Sequence, residues 1–146
     1  MSIIVTHKRA SYDYHILDRF EAGIILTGSE VKSIRMKRVS ISESFGRLKD
    51  GEIFLFNAHI APYPQGVPAG YDPRATRKLL LNRREIEFLI NKTQEGLSII
   101  PLKIYTKRNR IKVEIALARS KKKYDKREKM KEKAIKREIE KRMKAR

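Results

Sequence analysis

The sequence predicts a mainly β protein: an antiparallel sheet carrying two short helices, followed by a basic C-terminal tail. Three observations carry this expectation. Two stretches alternate apolar and polar residues on either side of a tight-turn signal, one at Asp50-Gly51 and one at Arg108-Asn109. Two others place apolar residues at helical spacing directly behind a capping-box sequence. Near Ser120, finally, the composition changes from mixed to almost wholly charged.

Taken in order, Tyr12, Tyr14, Ile16 and Phe20 share one parity and predict a first strand. Thr27-Gly28-Ser29-Glu30 has capping-box spacing, and Val31 and Ile34 then give a short helix its apolar face, leaving Lys32 and Arg35 to solvent. Phe45 to Phe56 reads as a hairpin turning at Asp50-Gly51, residue types that tolerate positive φ. The segment from Asn57 to Lys78 holds four prolines and two glycines and predicts a long functional or mobile loop. A second helix starts at Asn82-Arg83-Arg84-Glu85, buries Ile86, Leu89 and Ile90, and stops at Gly96. Last comes a hairpin in which Ile100, Leu102 and Ile104 face Ile111, Val113, Ile115 and Leu117, with Lys112 and Glu114 pointing away from the core. A helix between the third and fourth strands of a small antiparallel barrel is the organisation of the OB-fold, an oligonucleotide binder. An open sheet capped by two helices would leave a similar pattern. Residues 1–119 are thus expected to form an OB-type barrel and 120–146 a separate tail.

The charge balance names the partner class. With 35 basic and 17 acidic side chains among 146 residues, the net charge is +18. Half of it, +9, sits in the last 27 residues, where 14 are basic and 5 acidic. A field this strong attracts polyanions, nucleic acid first and an anionic membrane surface second. Within the tail only Ile135, Ile139 and Met143 form a stripe, too thin to bury much surface. The tail is therefore expected to be disordered or fraying when free and helical against a polyanion.

Several chemistries find no support. Without cysteine there is no disulfide, thiolate zinc site or cysteine nucleophile. The longest apolar runs fall far short of a membrane span, and Met1 to Arg9 is unlike a signal peptide, so a soluble cytoplasmic protein is expected. His7, His15 and His59 form no metal-binding spacing, and no nucleophile elbow or phosphate loop is present. Asp13 and Asp18, read on one strand five residues apart, should face opposite sides and so cannot jointly hold a metal. No enzyme, cofactor or metal is expected. Basic groups spread over the folded part would instead contact phosphates, while Tyr12, Tyr71 and Glu21 are candidates for reading bases or 2′-hydroxyls. A small ribosomal protein with an RNA-threading tail and a magnesium-dependent nuclease remain as alternatives on these grounds.

An ordered set of words narrows the choice. Glu21-Ala22-Gly23-Ile24, Gly28-Ser29-Glu30-Val31-Lys32-Ser33-Ile34-Arg35, Asp72-Pro73, Arg77-Lys78-Leu79-Leu80-Leu81, Pro101-Leu102-Lys103-Ile104-Tyr105 and Lys121-Lys122-Lys123-Tyr124-Asp125-Lys126-Arg127 resemble the SmpB family of SsrA-binding proteins, over about residues 7 to 130. The resemblance implies an OB-type barrel, acting as a monomer and without enzymatic activity. Such a protein binds the tRNA-like domain of transfer-messenger RNA and delivers it to stalled ribosomes. Its tail would probe the empty message channel and the decoding centre of the small subunit. By position, Glu21 matches the residue that recognises the tRNA-like fold, Glu30 and Lys32 stand in a second family motif, and Lys8-Arg9 match a basic pair. With them, Tyr12, Arg35, Arg77, Lys78, Lys103, Lys107 and Arg119 complete the expected RNA contacts of the barrel. Lys121, Lys122, Lys123, Tyr124, Asp125, Lys126 and Arg127 are the expected ribosome contacts of the tail. Ser120 stands where the family has glycine, at the hinge between barrel and tail, and serine is less free than glycine to adopt positive φ there.

Overall fold

Both hairpins turn where the sequence places them. In the computed structural model, which describes residues 1–121, Asp50 and Gly51 adopt φ of 51° and 75°, and Arg108 and Asn109 adopt 52° and 63°. Positive φ at both central residues matches the twist of the flanking strands. The elements run β1 (Ser2–Thr6), α1 (Ala10–Asp13), β2 (Tyr14–Ile24), α2 (Gly28–Arg35), β3 (Val39–Ser40) and β4 (Phe45–Lys49). They continue with β5 (Glu52–Phe56), β6 (His59–Ile60), β7 (Arg77–Leu80), α3 (Arg83–Gln94), β8 (Ser98–Lys107) and β9 (Arg110–Ser120).

The sheet closes. Antiparallel pairing runs β8-β4-β5-β7-β2-β9, and β9 returns to β8, so six strands form an OB-type barrel with α3 inserted between β7 and β8. β1 adds outside the ring along the C-terminal part of β8, and β3 pairs separately with β6. Closure between β4 and β8 rests on one residue pair, Gly46 opposite Ile99. A Cβ on Gly46 would lie 2.5 Å from Ile99 Cγ2, so only glycine lets the two strands meet there. Ile53, Leu55, Leu79, Val113 and Ile115 fill the interior with no exposed surface, and Leu89 of α3 joins them.

Helix ends follow their capping chemistry. Thr27 accepts from the Glu30 N–H while the Glu30 carboxylate accepts from the Thr27 N–H, and Asn82 and Glu85 repeat the exchange on α3. Beyond α3, Gly96 at φ 91° donates to the Thr93 carbonyl and Leu97 to that of Lys92, a Schellman ending. α2 ends in the same way with Lys37 at φ 62° in the place of glycine. Among the described residues no helix is long and apolar enough to cross a membrane.

Three expectations are corrected. The described residues hold three helices, because residues 10–13 close a single turn in which the Arg9 carbonyl accepts from the Asp13 N–H. Tyr12 therefore lies on α1 and not on a strand, and Asp13 and Asp18 are not on one strand either. Packing explains the turn: Ala10 is buried against Ile100, Ala116 and Ala118, and the two small alanines leave α1 room on the outer face of β8 and β9. On β8, Ile100, Leu102 and Ile104 do not share one face. A bulge between Pro101 and Lys103 sends Ile100 and Leu102 to this small outer core and Ile104 to the interior. Proline cannot donate to the ladder, so a bulge at this place is expected from its chemistry. Ser120, finally, occupies the last rung of β9 opposite Tyr14, an extended conformation that serine adopts as freely as other residues.

Candidate nucleic-acid interface

Outward-facing residues of β2, β9 and β8 build a charged surface around Glu21. Its cross-strand partner is Glu114, and two carboxylates directly opposite repel. Each is drawn away by cations. Glu114 lies 3.6 Å from Lys103 and 3.9 Å from Arg19. Glu21 accepts a 2.5 Å hydrogen bond from the Tyr105 hydroxyl and lies 3.3 Å from Lys107 Nζ. The Tyr105 hydrogen bond holds the Glu21 carboxyl below the usual range against a smaller opposing effect of burial, and Lys107 and Lys112 add to it. Burial and the Glu21 carboxylate push the Tyr105 hydroxyl far up, so it remains a donor. Glu21 thus lines a depression of about 520 Å³ with Lys107, Arg108, Arg110 and Lys112. Arg35 Nη2 donates to the Asn109 carbonyl at 3.2 Å, fastening the last turn of α2 to the rim of this site. One ionised acceptor ringed by cations can take a hydroxyl or amino donor while the cations hold phosphates.

A second cluster gathers at α1. Lys8 and Arg9 are exposed, and the Arg9 guanidinium lies 5.1 Å from the Tyr12 ring centre and 3.8 Å from Asp13. Tyr12 is 69% exposed, far more than a core residue, so its ring is free to stack. Arg119 is exposed at the end of β9, and Lys121 Nζ donates to the Ser11 carbonyl at 2.9 Å. Seven steps along β9 take Lys112 to Arg119, about 23 Å at strand rise. The two clusters are distinct.

Glu30 and Arg77 leave the expected contact set. They are 6% and 4% exposed, and both Arg77 Nε and Nη2 lie 2.6 Å from Glu30 Oε2. Arg77 also donates to the carbonyls of Ala58 and Pro73, and Tyr71 to that of Ile60 and to Glu30. Burial, with Glu30 beside it, raises the Tyr71 hydroxyl above its ordinary value. This internal network ties α2 and β7 to the proline-rich loop, and its charges face one another instead of RNA. Lys32, on the exposed face of α2, reaches that loop at Tyr63, 5.4 Å from the ring centre. Lys78 faces outward on β7, the strand beside β2, and its carbonyl accepts from the Ile25 N–H four residues beyond Glu21. Lys122, Lys123, Tyr124, Asp125, Lys126 and Arg127 lie outside the described residues.

A family model described as SmpB protein matches residues 4–145. The chain belongs to the SmpB family. It is 51% identical over 145 residues to the SsrA-binding protein of Carboxydothermus hydrogenoformans, covering 99% of this chain and 97% of that one. Against the SsrA-binding protein of Sulfurihydrogenibium sp. the identity is 53% over 140 residues, with 95% and 92% covered. A solved chain from work described as "tmRNA-SmpB: a journey to the center of the bacterial ribosome" is 48% identical, with a TM-score of 0.67 over 82% of this chain and 85% of that chain.

Within this SmpB-family barrel, Tyr105 is the partner that reading the sequence missed. A signal for it existed. Beyond the bulge at Pro101, Lys103, Tyr105 and Lys107 share the outward parity, so a tyrosine between two lysines, though itself buried, was available to meet Glu21. Among the described residues no cluster of three or more metal-ligating side chains occurs.

Proposed function

We propose that the chain is an RNA-binding adaptor of ribosome rescue, gripping the tRNA-like domain of transfer-messenger RNA with its barrel and carrying it to stalled ribosomes. The observation that carries this reading is the Glu21 depression, in a chain whose SmpB-family match extends over almost its whole length. A site that only neutralised phosphates would have no use for a carboxylate at its centre. An ionised Glu21, aimed by Tyr105 and flanked by Lys107, suits a folded RNA that offers a donor between phosphates. The α1 cluster extends the contact surface, and the basic residues from Lys121 onward then serve the ribosome.

The tail, at +9, acts as a probe in this account. An empty message channel walled with RNA attracts it and rewards helix formation, whereas a channel filled with message excludes it. Engagement of ribosomes places the work in the cytoplasm, and the adaptor does no chemistry of its own. The test is a chain ended after Lys121. It should retain binding to the tRNA-like domain within a factor of two and lose peptide transfer on ribosomes stalled without a codon. Equal loss of both activities would refute the division of labour.

A further inference from the structure

Another surface, on the outer face of β4, β5 and β7, has the composition of a nucleic-acid site and no role in the reading above. Along β5, Ile53 and Leu55 point inward with no exposed surface, so Phe54 and Phe56 point outward. Phe45 pairs across the hairpin with Phe56, Arg47 with Phe54, and Phe54 in turn with Lys78 of β7. The Phe45 and Phe56 rings are parallel within 4°, their centres 5.6 Å apart. Arg47 lies 5.1 Å from the first ring centre and 6.0 Å from the second, and Lys49 lies 5.7 Å from that of Phe54. Three half-buried aromatic rings thus share one outer face with Arg47, Lys49 and Lys78.

We propose that this β4–β5–β7 face is a stacking platform for unpaired RNA, independent of the Glu21 site. Charge selects the occupant: the cations Arg47, Lys49 and Lys78 stand on this face, and its two carboxylates, Asp50 and Glu52, lie at the hairpin end. The rings select its chemistry. Bases stack on aromatic planes irrespective of sequence, and guanidinium or ammonium groups beside the rings take the intervening phosphates. Counted back from α3, which an OB-fold carries between its third and fourth strands, β5 and β7 are the second and third strands, the face on which OB-folds bind oligonucleotides. The platform has the breadth of two strands, room for two or three nucleotides at strand spacing of about 4.8 Å. Arg47 would move from the ring face to a phosphate or stack upon the incoming base.

The test separates stacking from plain charge attraction. Full-length protein at moderate salt is titrated with an oligoadenylate octamer and with an abasic octamer of equal charge. The wild-type chain should prefer the oligoadenylate by about tenfold, since stacking on even one ring supplies that much. In the Phe54→Leu/Phe56→Leu double variant the preference should fall to about one, with affinity for a tRNA-like RNA unchanged. Should that variant not fold, ring-proton shifts of the three phenylalanines on adding oligoadenylate to the wild-type chain replace it. Equal binding of the two octamers by the wild type, a preference that survives in the folded variant, or ring protons that stay fixed would each overturn the platform.

Discussion

Glu30 Oε2 receives both the Nε and the Nη2 of Arg77 at 2.6 Å, across 47 residues of sequence, with neither side chain open to solvent. Removing one member of such a pair leaves a buried charge without a counter-ion, which costs about 3–5 kcal/mol. Glu30→Ala should therefore lower unfolding stability by roughly 3 kcal/mol in urea titrations. The fraction that remains folded should bind RNA as the wild type does. Loss of RNA affinity in a variant of normal stability would return Glu30 to the contact surface.

Gly46 and Ile99 set a second stability prediction. A methyl group at 46 meets Ile99 Cγ2 at 2.5 Å and Ile99 Cβ at 3.0 Å, in the one pair that joins β4 to β8. Overpacking of this kind costs about 1–3 kcal/mol. The cost of Gly46→Ala should be partly relieved when Ile99→Ala removes the opposing atoms. A double-mutant cycle reads the coupling, and strict additivity would mean that the seam relaxes by itself.

Lys37 ends α2 in the left-handed region at φ 62°, a conformation that costs a residue with a Cβ roughly 1 kcal/mol. Lys37→Gly should raise stability by a few tenths to 1 kcal/mol, the greater freedom of glycine in the unfolded chain offsetting part of the gain. Lys37→Val, which suits that region less well, should lower it. Thermal denaturation of the pair gives the sign directly.

Tyr105 links stability to pH through Glu21. Its hydrogen bond lowers the Glu21 carboxyl in the fold, so the stabilisation is present above the unfolded value, about 4.3, and is lost as pH falls through the lower folded value. The pair is partly open to solvent, which limits its worth to roughly 1 kcal/mol at neutral pH. Tyr105→Phe should show that deficit at pH 7 and a shrinking one below about pH 4. A deficit that stays constant into acid would assign the effect to packing.

What the sequence disclosed and what it withheld divide along the range of the interactions. Asp50-Gly51, Arg108-Asn109 and the two capping boxes act over two to four residues, and all formed where expected. The single turn α1 has no period of its own, and Tyr12 and Tyr14 imitate a strand across it. The bulge at Leu102 reverses the strand parity, which a strict alternation cannot show although Pro101 marks the place. Glu30 carried a local sign, its capping position, while its pairing with Arg77 depends on how β7 comes to lie beside α2. For Glu21 the residue was legible, but the hydroxyl that aims it comes from 84 positions away.

The strongest test of the Glu21 depression turns on opposed signs. Lys107, Arg108, Arg110 and Lys112 attract phosphates, and the Glu21 carboxylate among them repels them. For binding by charge alone, Glu21→Gln removes a repulsive charge and should strengthen every RNA equally. If the carboxylate accepts from a donor held in place by a folded tRNA-like domain, the same change weakens that RNA by about tenfold, the worth of a charge-assisted hydrogen bond. A random duplex of equal length has no donor fixed at that position and should bind as well as before or better. Filter binding of both RNAs to one variant therefore yields two changes of opposite direction, which neither misfolding nor a general loss of charge can produce. A rise for both would make Glu21 a bystander and leave the lysines and arginines to do the binding.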